Sequence, residues 1–169
     1  MQAAQGMMSA MSTTVTFDMT YDAPQASVIA MLADQSFREQ VCEAQHATST
    51  TVSISGIPGT VDIAFTQATA GVPSFAKKFV GSTITVSQHE TWSTTTAATI
   101  DIDAGVPIAD IKGSVALAER GAQTIETVTL QVNVKVPLLG GKLEALVADM
   151  MRQALQKEYE TGKAYLAGG

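Results

Sequence analysis

From Thr48 to Val136 the chain runs in short stretches rich in Thr, Val, Ile and Ser that alternate apolar and polar residues, and straight after them comes its only long helical pattern, Gly141 to Tyr165. A period of two puts alternate side chains on opposite faces of a strand, whereas a helix gathers its apolar residues into one stripe. Neither the apolar sheet face nor the apolar stripe can stay in water, so each has to cover the other. The segments "GIPG", "AGVP" (twice) and "ERGAQ" break the run into strands joined by Gly and Pro turns, which predicts a meandering antiparallel sheet. The inward sets are Val52 and Ile54; Val61, Ile63 and Phe65; Ile84, Val86, Gln88, Glu90 and Trp92; Ala98, Ile100 and Ile102; Ile111, Val115 and Leu117; and Val128, Leu130, Val132, Val134 and Val136.

Helical spacing places Leu143, Leu146, Val147, Met150, Met151 and Ala154 on one side of the C-terminal helix, whose length is about 36 Å at 1.5 Å per residue. Pro137 has no N–H to give a ladder and ends the last strand, and Gly140-Gly141 are expected to reverse the chain onto the sheet. A strongly twisted sheet cannot lie flush along a straight helix, so a wedge of space is expected between them, and Met suits its walls because it adapts to irregular shapes. Past Ala154 the stripe meets Lys157, Glu158 and Thr161, while Leu155, Tyr159 and Leu166 sit further round. That second patch either accompanies a wetter cavity mouth or contacts a partner.

Upstream, "TVTFDMTY" alternates Val15, Phe17, Met19 and Tyr21 against polar residues and reads as strand one. "DAPQASVIAMLAD" reads as a short helix with Asp22 as N-cap and Pro24 near its first turn, and "QSFREQVCEAQ" as a second after a break near Asp34 to Ser36, with Phe37, Val41 and Cys42 inward. Residues 1–12 read as a disordered extension and 13–166 as one domain.

The composition narrows the function classes. A net charge of -6 with no basic cluster beyond Lys77-Lys78 excludes nucleic acid as the expected partner. One cysteine, Cys42, allows no internal disulfide and points to a reducing cytoplasm. The N-terminal stretch lacks the pattern of a secretory signal, and no run approaches the ~20 apolar residues of a membrane span. His46 ends the second helix, and His89 falls on the outer sheet face with Asp101 and Asp103, so neither a nucleophile–base pair nor a metal cluster is expected. No catalytic residue, metal or cofactor is assigned.

Two features stand out. Glu90 shares the inward register with Gln88 and Trp92, and a carboxylate facing apolar space is costly unless hydrogen-bonded or neutral. It either anchors the polar group of a ligand or pairs with a neighbouring Arg, Lys or backbone group. In "VPSFAKKFVG", Phe75 and Phe79 stand four residues apart around Lys77-Lys78, a pattern for a short lid helix over a pocket or for a loop sealing the core.

The order of elements, together with "MLADQSFREQVC", "VPSFAKKFVG", "HETW" and "KVPLLGGKLEALVADMM", resembles the START-like, or polyketide cyclase/Bet v 1-like (SRPBCC), helix-grip superfamily, and within it the actinobacterial family DUF2505. His46 stands where a glycine is common in that family. The resemblance implies an α+β fold with a seven-stranded antiparallel sheet wrapped around a long C-terminal helix and two short helices after strand one. It also implies a cavity for an apolar molecule, since helix-grip proteins bind sterols, phospholipids, polyketides or plant hormones. The leading expectation is a non-enzymatic carrier or sensor of a small hydrophobic or lipid-like molecule, contacted by Phe75, Phe79, Glu90, Trp92, Leu146, Met150, Met151 and Tyr159. Two rivals are a cyclase or dehydratase using Glu90 as general base with Tyr21 or Tyr159 assisting, and an interaction protein with a closed core whose working surface is the patch at Leu155 and Tyr159.

Overall fold

A computed structural model describes residues 12–168. The expected N-terminal extension, 1–12, lies outside the described residues except for Ser12, which opens the first strand. In chain order the elements are β1 (Ser12–Tyr21), α1 (Gln25–Leu32), α2 (Gln35–Ala44), β2 (Ser49–Ile54), β3 (Gly59–Ala68), α3 (Ser74–Lys77), β4 (Thr83–Trp92), β5 (Ala97–Asp103), β6 (Ala109–Arg120), β7 (Gln123–Val134) and α4 (Gly140–Leu166). All neighbouring strands are antiparallel, in the order β1-β7-β6-β5-β4-β3-β2.

The period-two reading places the sheet correctly. Val15, Val61, Ile111, Leu130 and Val132 are fully or almost fully buried, and the Thr, Ser and Asp residues between them are turned mostly outward. The covered face grips α4, while α1 and α2 follow β1 and pack against the other end of that helix. The sheet is therefore a half-wrapped trough rather than a closed barrel. Asp34 caps α2 by accepting a hydrogen bond from the Ser36 N–H at 2.9 Å. Asp22, expected as the cap of α1, is not: Pro24 holds that place in an extended conformation with no side-chain cap, and the Asp22 carboxylate accepts from Gln123 Nε2 on β7.

α4 is pinned at both ends. At the start, buried Glu144 accepts from the Val134 N–H at 3.0 Å and from Thr13 Oγ1 at 3.1 Å, tying the first turns to β7 and β1. At the far end Gly162 lies against the ring of Tyr21, where a Cβ would come within 2.7 Å of the phenol oxygen. Tyr159 meets Tyr21 edge-on at 5.5 Å and donates to the Thr20 carbonyl at 2.9 Å, and Tyr165 meets Phe37 edge-on at 5.4 Å while donating to Asp34. The patch at Leu155, Tyr159 and Leu166 thus packs, half-buried, against the protein's own core. The helix bears on the sheet with its early stripe and on β1, α1 and α2 with its late one.

The turn into α4 differs from its expected design. The left-handed residue is Leu138 (φ 68°), which is fully exposed, and neither Gly140 nor Gly141 has a positive φ. Gly140 serves instead for close approach, since a Cβ there would stand 3.0 Å from the Val134 carbonyl oxygen. His46 follows α2 in the same left-handed conformation (φ 63°), the place where a glycine usually ends a helix. A left-handed backbone costs a non-glycine residue about 1–2 kcal/mol, and glycine forfeits about half of that again through its unfolded-state freedom. Leu138→Gly, which removes no buried contact, should therefore raise stability by up to about 1 kcal/mol, read as a higher urea midpoint at unchanged slope. A lower midpoint would mean that the Leu138 side chain makes a contact worth more than the strain.

Candidate functional site

Between the middle of α4 and the sheet lies a cavity of about 360 Å³. Its walls are apolar: Phe65, Ile84, Val86, Ile100, Val115 and Val128 from the sheet face, and Leu146, Val147, Met150, Met151 and Ala154 from the helix. Phe79 and Val80, just after α3, close one side. Leu146, Val147, Met150, Met151 and Ala154 over the cavity are only half-buried, whereas Leu143 at its edge and Ala148 are buried. The expected wedge is therefore real, and the methionines border it.

Of the eight expected contact residues, Phe79, Glu90, Leu146, Met150 and Met151 line this cavity, whereas Phe75, Trp92 and Tyr159 do not. Phe75 turns toward the start of α4, with the Lys142 ammonium over its ring at 4.1 Å. Trp92 lies beneath Glu90 and spends its indole N–H on that carboxylate at 2.8 Å. Tyr159 is held against Tyr21 and Thr20, and Tyr21 directs its own hydroxyl to the Met19 sulfur at 3.4 Å. His89 is on the outer face as expected, paired with Asp62. His46 stands exposed where the cavity is lined by the end of α2.

One end of the cavity is polar. Glu90, only 2% exposed, receives Arg38 in a two-pronged ion pair, Nη1 to Oε2 and Nη2 to Oε1, both at 2.9 Å. Gln88 Nε2 donates to Oε2 at 2.6 Å and Trp92 Nε1 to Oε1, so four donors occupy the roughly four acceptor positions of the carboxylate. Arg38 also donates from Nε to the Leu32 carbonyl at 2.8 Å, joining the end of α1 to β4 through α2. Burial by itself would lower the pKa of Arg38, and the carboxylates around it, Glu90 first, more than offset this and keep the guanidinium charged. A carboxylate held in this way has no lone pair left for a ligand.

Two further carboxyls face the same space. Glu126, on β7 at the inward register and 2% exposed, lines the cavity with Glu158 of α4. Glu126 Oε1 is the one buried side-chain oxygen or nitrogen among the described residues that has no hydrogen-bond partner. Burial raises the Glu126 carboxyl well above its ordinary range, nearby Glu158 pushes it further up, and Arg38 opposes both. Glu158 is half-buried as a residue with its carboxyl turned inward, and burial pushes it up to about 7 against the pull of Arg38. Because Glu90 takes both prongs of Arg38, the only buried cation among the described residues, this pair has no cation of its own.

The DUF2505 family model, described as a protein of unknown function, matches residues 16–166. The chain belongs to the DUF2505 family. Solved structures show for the DUF2505 chain the Bet v 1-like helix-grip fold. TTHA0849 from Thermus thermophilus is 17% identical at a TM-score of 0.63, over 90% of this chain and 99% of that one. Zhui aromatase/cyclase from Streptomyces sp. R1128 is 13% identical at 0.59, over 93% and 92%. Norcoclaurine synthase from Thalictrum flavum, in complex with dopamine and hydroxybenzaldehyde, is 8% identical at 0.64, over 94% and 88%. Among curated proteins no sequence matches. At these identities the likeness establishes the fold alone.

Sequence reasoning about the DUF2505 chain missed Arg38, Glu126 and Glu158 as members of the site. Glu126 was within reach, because the β7 alternation extended two residues before Val128 lands on it. Arg38 sits beside Phe37 and three residues before Val41 on the inward side of α2, where its charge masked its placement.

Removing one partner of a buried ion pair strands the other, at a cost of about 3–5 kcal/mol. Arg38→Met should cost that much in urea unfolding, and Arg38→Met with Glu90→Leu should regain most of it. Equal losses in the single and double variants would mean that Arg38 acts through packing and its bond to Leu32. For the raised carboxyl, the folded state binds more protons than the unfolded one between the ordinary 4.5 and about 7. Its stabilising contribution is therefore complete below that window and is lost as the pH climbs through it. Glu158→Gln should flatten this part of the stability–pH curve, and a slope identical to wild type would place the titration elsewhere.

Proposed function

We propose that residues 13–166 act as one domain that binds a small apolar or lipid-like molecule in the cavity between sheet and α4, as a carrier or sensor. The observation that carries this reading is the cavity itself, about 360 Å³ of apolar-walled space in the middle of a helix whose two ends are firmly pinned. Its volume lies in the lower range of small-molecule sites, which suits one or two fused rings or a short acyl chain. Apolar and bordered by Met150 and Met151, it can adapt to a guest at little cost in packing. Support also comes from the same fold in an aromatase/cyclase and in norcoclaurine synthase, the latter in complex with dopamine and hydroxybenzaldehyde. No helix among the described residues is long and apolar enough to cross a membrane, and the buried thiol of Cys42 fits a reducing cytoplasm.

A second reading, acid–base catalysis of the cyclase or dehydratase type, is favoured by one feature: the Glu158 carboxyl, pushed up to about 7, is poised to exchange protons at neutral pH. In this reading the base is Glu158 rather than Glu90, whose acceptor positions are all taken.

A neutral fluorescent probe such as N-phenylnaphthylamine should bind the wild-type protein, and Ala154→Trp, which fills the cavity from the helix side, should weaken it at least about tenfold without loss of fold. Undiminished binding in Ala154→Trp would place the probe outside the cavity. Mass analysis of the material extracted from protein purified from its own host would then identify the natural guest.

A further inference from the structure

We propose that Glu126 and Glu158 form a receptor for a protonated amine, so that the ligand is an apolar body carrying one basic nitrogen. The inference rests on the cavity-binding reading and adds the chemical class of the ligand. Its starting point is the buried, unpartnered Glu126 Oε1 in the wall of an apolar cavity. A buried acceptor left without a donor forfeits its hydration for nothing, which a fold avoids unless something else fills the place.

The groups around it decide what that something is. From α2 comes Arg38, committed to Glu90 and to the Leu32 carbonyl. From β4 come Glu90 itself and Gln88, which donates to Glu90. From β1 comes Tyr21, whose phenol is kept neutral by burial and turned toward Met19. From α4 come Glu158, Tyr159, bonded to Thr20, and Lys157, which lines the cavity but is exposed. Each of these inward-facing donors is already used, and what remains free is a pair of acceptors. An acidic ligand would meet two carboxyls and, among the described residues, no free buried cation, since Lys157 is exposed. A neutral hydroxyl would satisfy one oxygen and leave the pair's proton in place. An ammonium group offers up to three donors and a positive charge, and lets both carboxyls ionise. Its binding should therefore expel protons, which neither other headgroup does.

The test compares one aromatic body with three heads: naphthylethylamine, naphthylethanol and naphthylacetate, titrated calorimetrically in two buffers of different ionisation enthalpy. Near pH 7 the amine should bind wild-type protein at least about tenfold more tightly than the alcohol, with the carboxylate weakest and with proton release seen for the amine alone. Near pH 5, where the raised carboxyls keep their protons, the amine's advantage should shrink. His46 lines the same cavity, so Glu126→Gln rather than the raw pH profile isolates the pair. That nearly isosteric change should abolish the amine preference while alcohol affinity stays within about threefold; Glu158→Gln, at a half-buried position, should do the same if the first variant fails to fold. Equal binding of amine and alcohol by wild type, with both displacing N-phenylnaphthylamine, would overturn the amine assignment and leave the cavity reading standing. So would an amine preference that survives in a folded variant. If none of the three heads binds, the amine assignment falls, and if the probe does not bind either, the cavity reading falls with it.

Discussion

The two-pronged pairing of Arg38 with Glu90 is where the separate parts of the fold meet. Through one side chain, Arg38 touches the last carbonyl of α1 and the inward carboxylate of β4 while standing on α2. Gln88 and Trp92 on the same strand complete the shell. Such a pair is not a large net source of stability, because desolvating two charges offsets most of their attraction. Its effect is geometric: a planar guanidinium and a carboxylate with all acceptors filled admit few other arrangements, so the angle between helix pair and sheet is fixed. The same saturation leaves the site no free buried cation among the described residues. It turns Glu126 and Glu158, which face the cavity nearby, into carboxyls whose charge has no local partner.

The cavity has a mechanical origin. A twisted sheet and a long helix touch well only over part of their length. Here the touching parts are the two ends. At one end Gly140 and Glu144 draw α4 onto β7 and β1, and at the other Gly162 lets it settle on Tyr21 while Tyr159 and Tyr165 bond to β1 and the start of α2. The middle, from Leu146 to Glu158, bridges the trough like a beam. Close contact at the ends therefore creates the space between them, and the position of the two glycines and three polar anchors sets where it lies.

Much of this could be read from residue order. The inward sets of all seven strands are buried or half-buried, and the long helix begins and ends within one residue of the expected Gly141 and Tyr165. Alternation is reliable here because one sheet face is wet and the other covered, so a slip of one residue would expose every Val and Ile at once. The turn before α4 was less legible. Two consecutive glycines suggest conformational freedom, yet Leu138 takes the left-handed position and Gly140 is needed for its missing side chain. Whether a glycine serves torsion or proximity depends on what lies opposite, which is not local information. Phe75, Trp92 and Tyr159 share the expected faces with true lining residues but find nearer partners in Lys142, Glu90 and Tyr21.

By itself the sequence determined the class of the fold, because hydrophobic periodicity acts residue by residue: period two for the sheet, one stripe for the helix, and burial as the common demand. It also determined that Glu90 points inward. Which charge compensates Glu90, and which carboxyls are left without one, was decided only when α2, β4, β7 and α4 came together, from positions as far apart as Arg38 and Glu158. Electrostatic energy depends on distance and on exclusion of water, and both are properties of the assembled chain. The apolar half of the site was therefore written along the strand and helix patterns, and its polar half exists only in the tertiary structure.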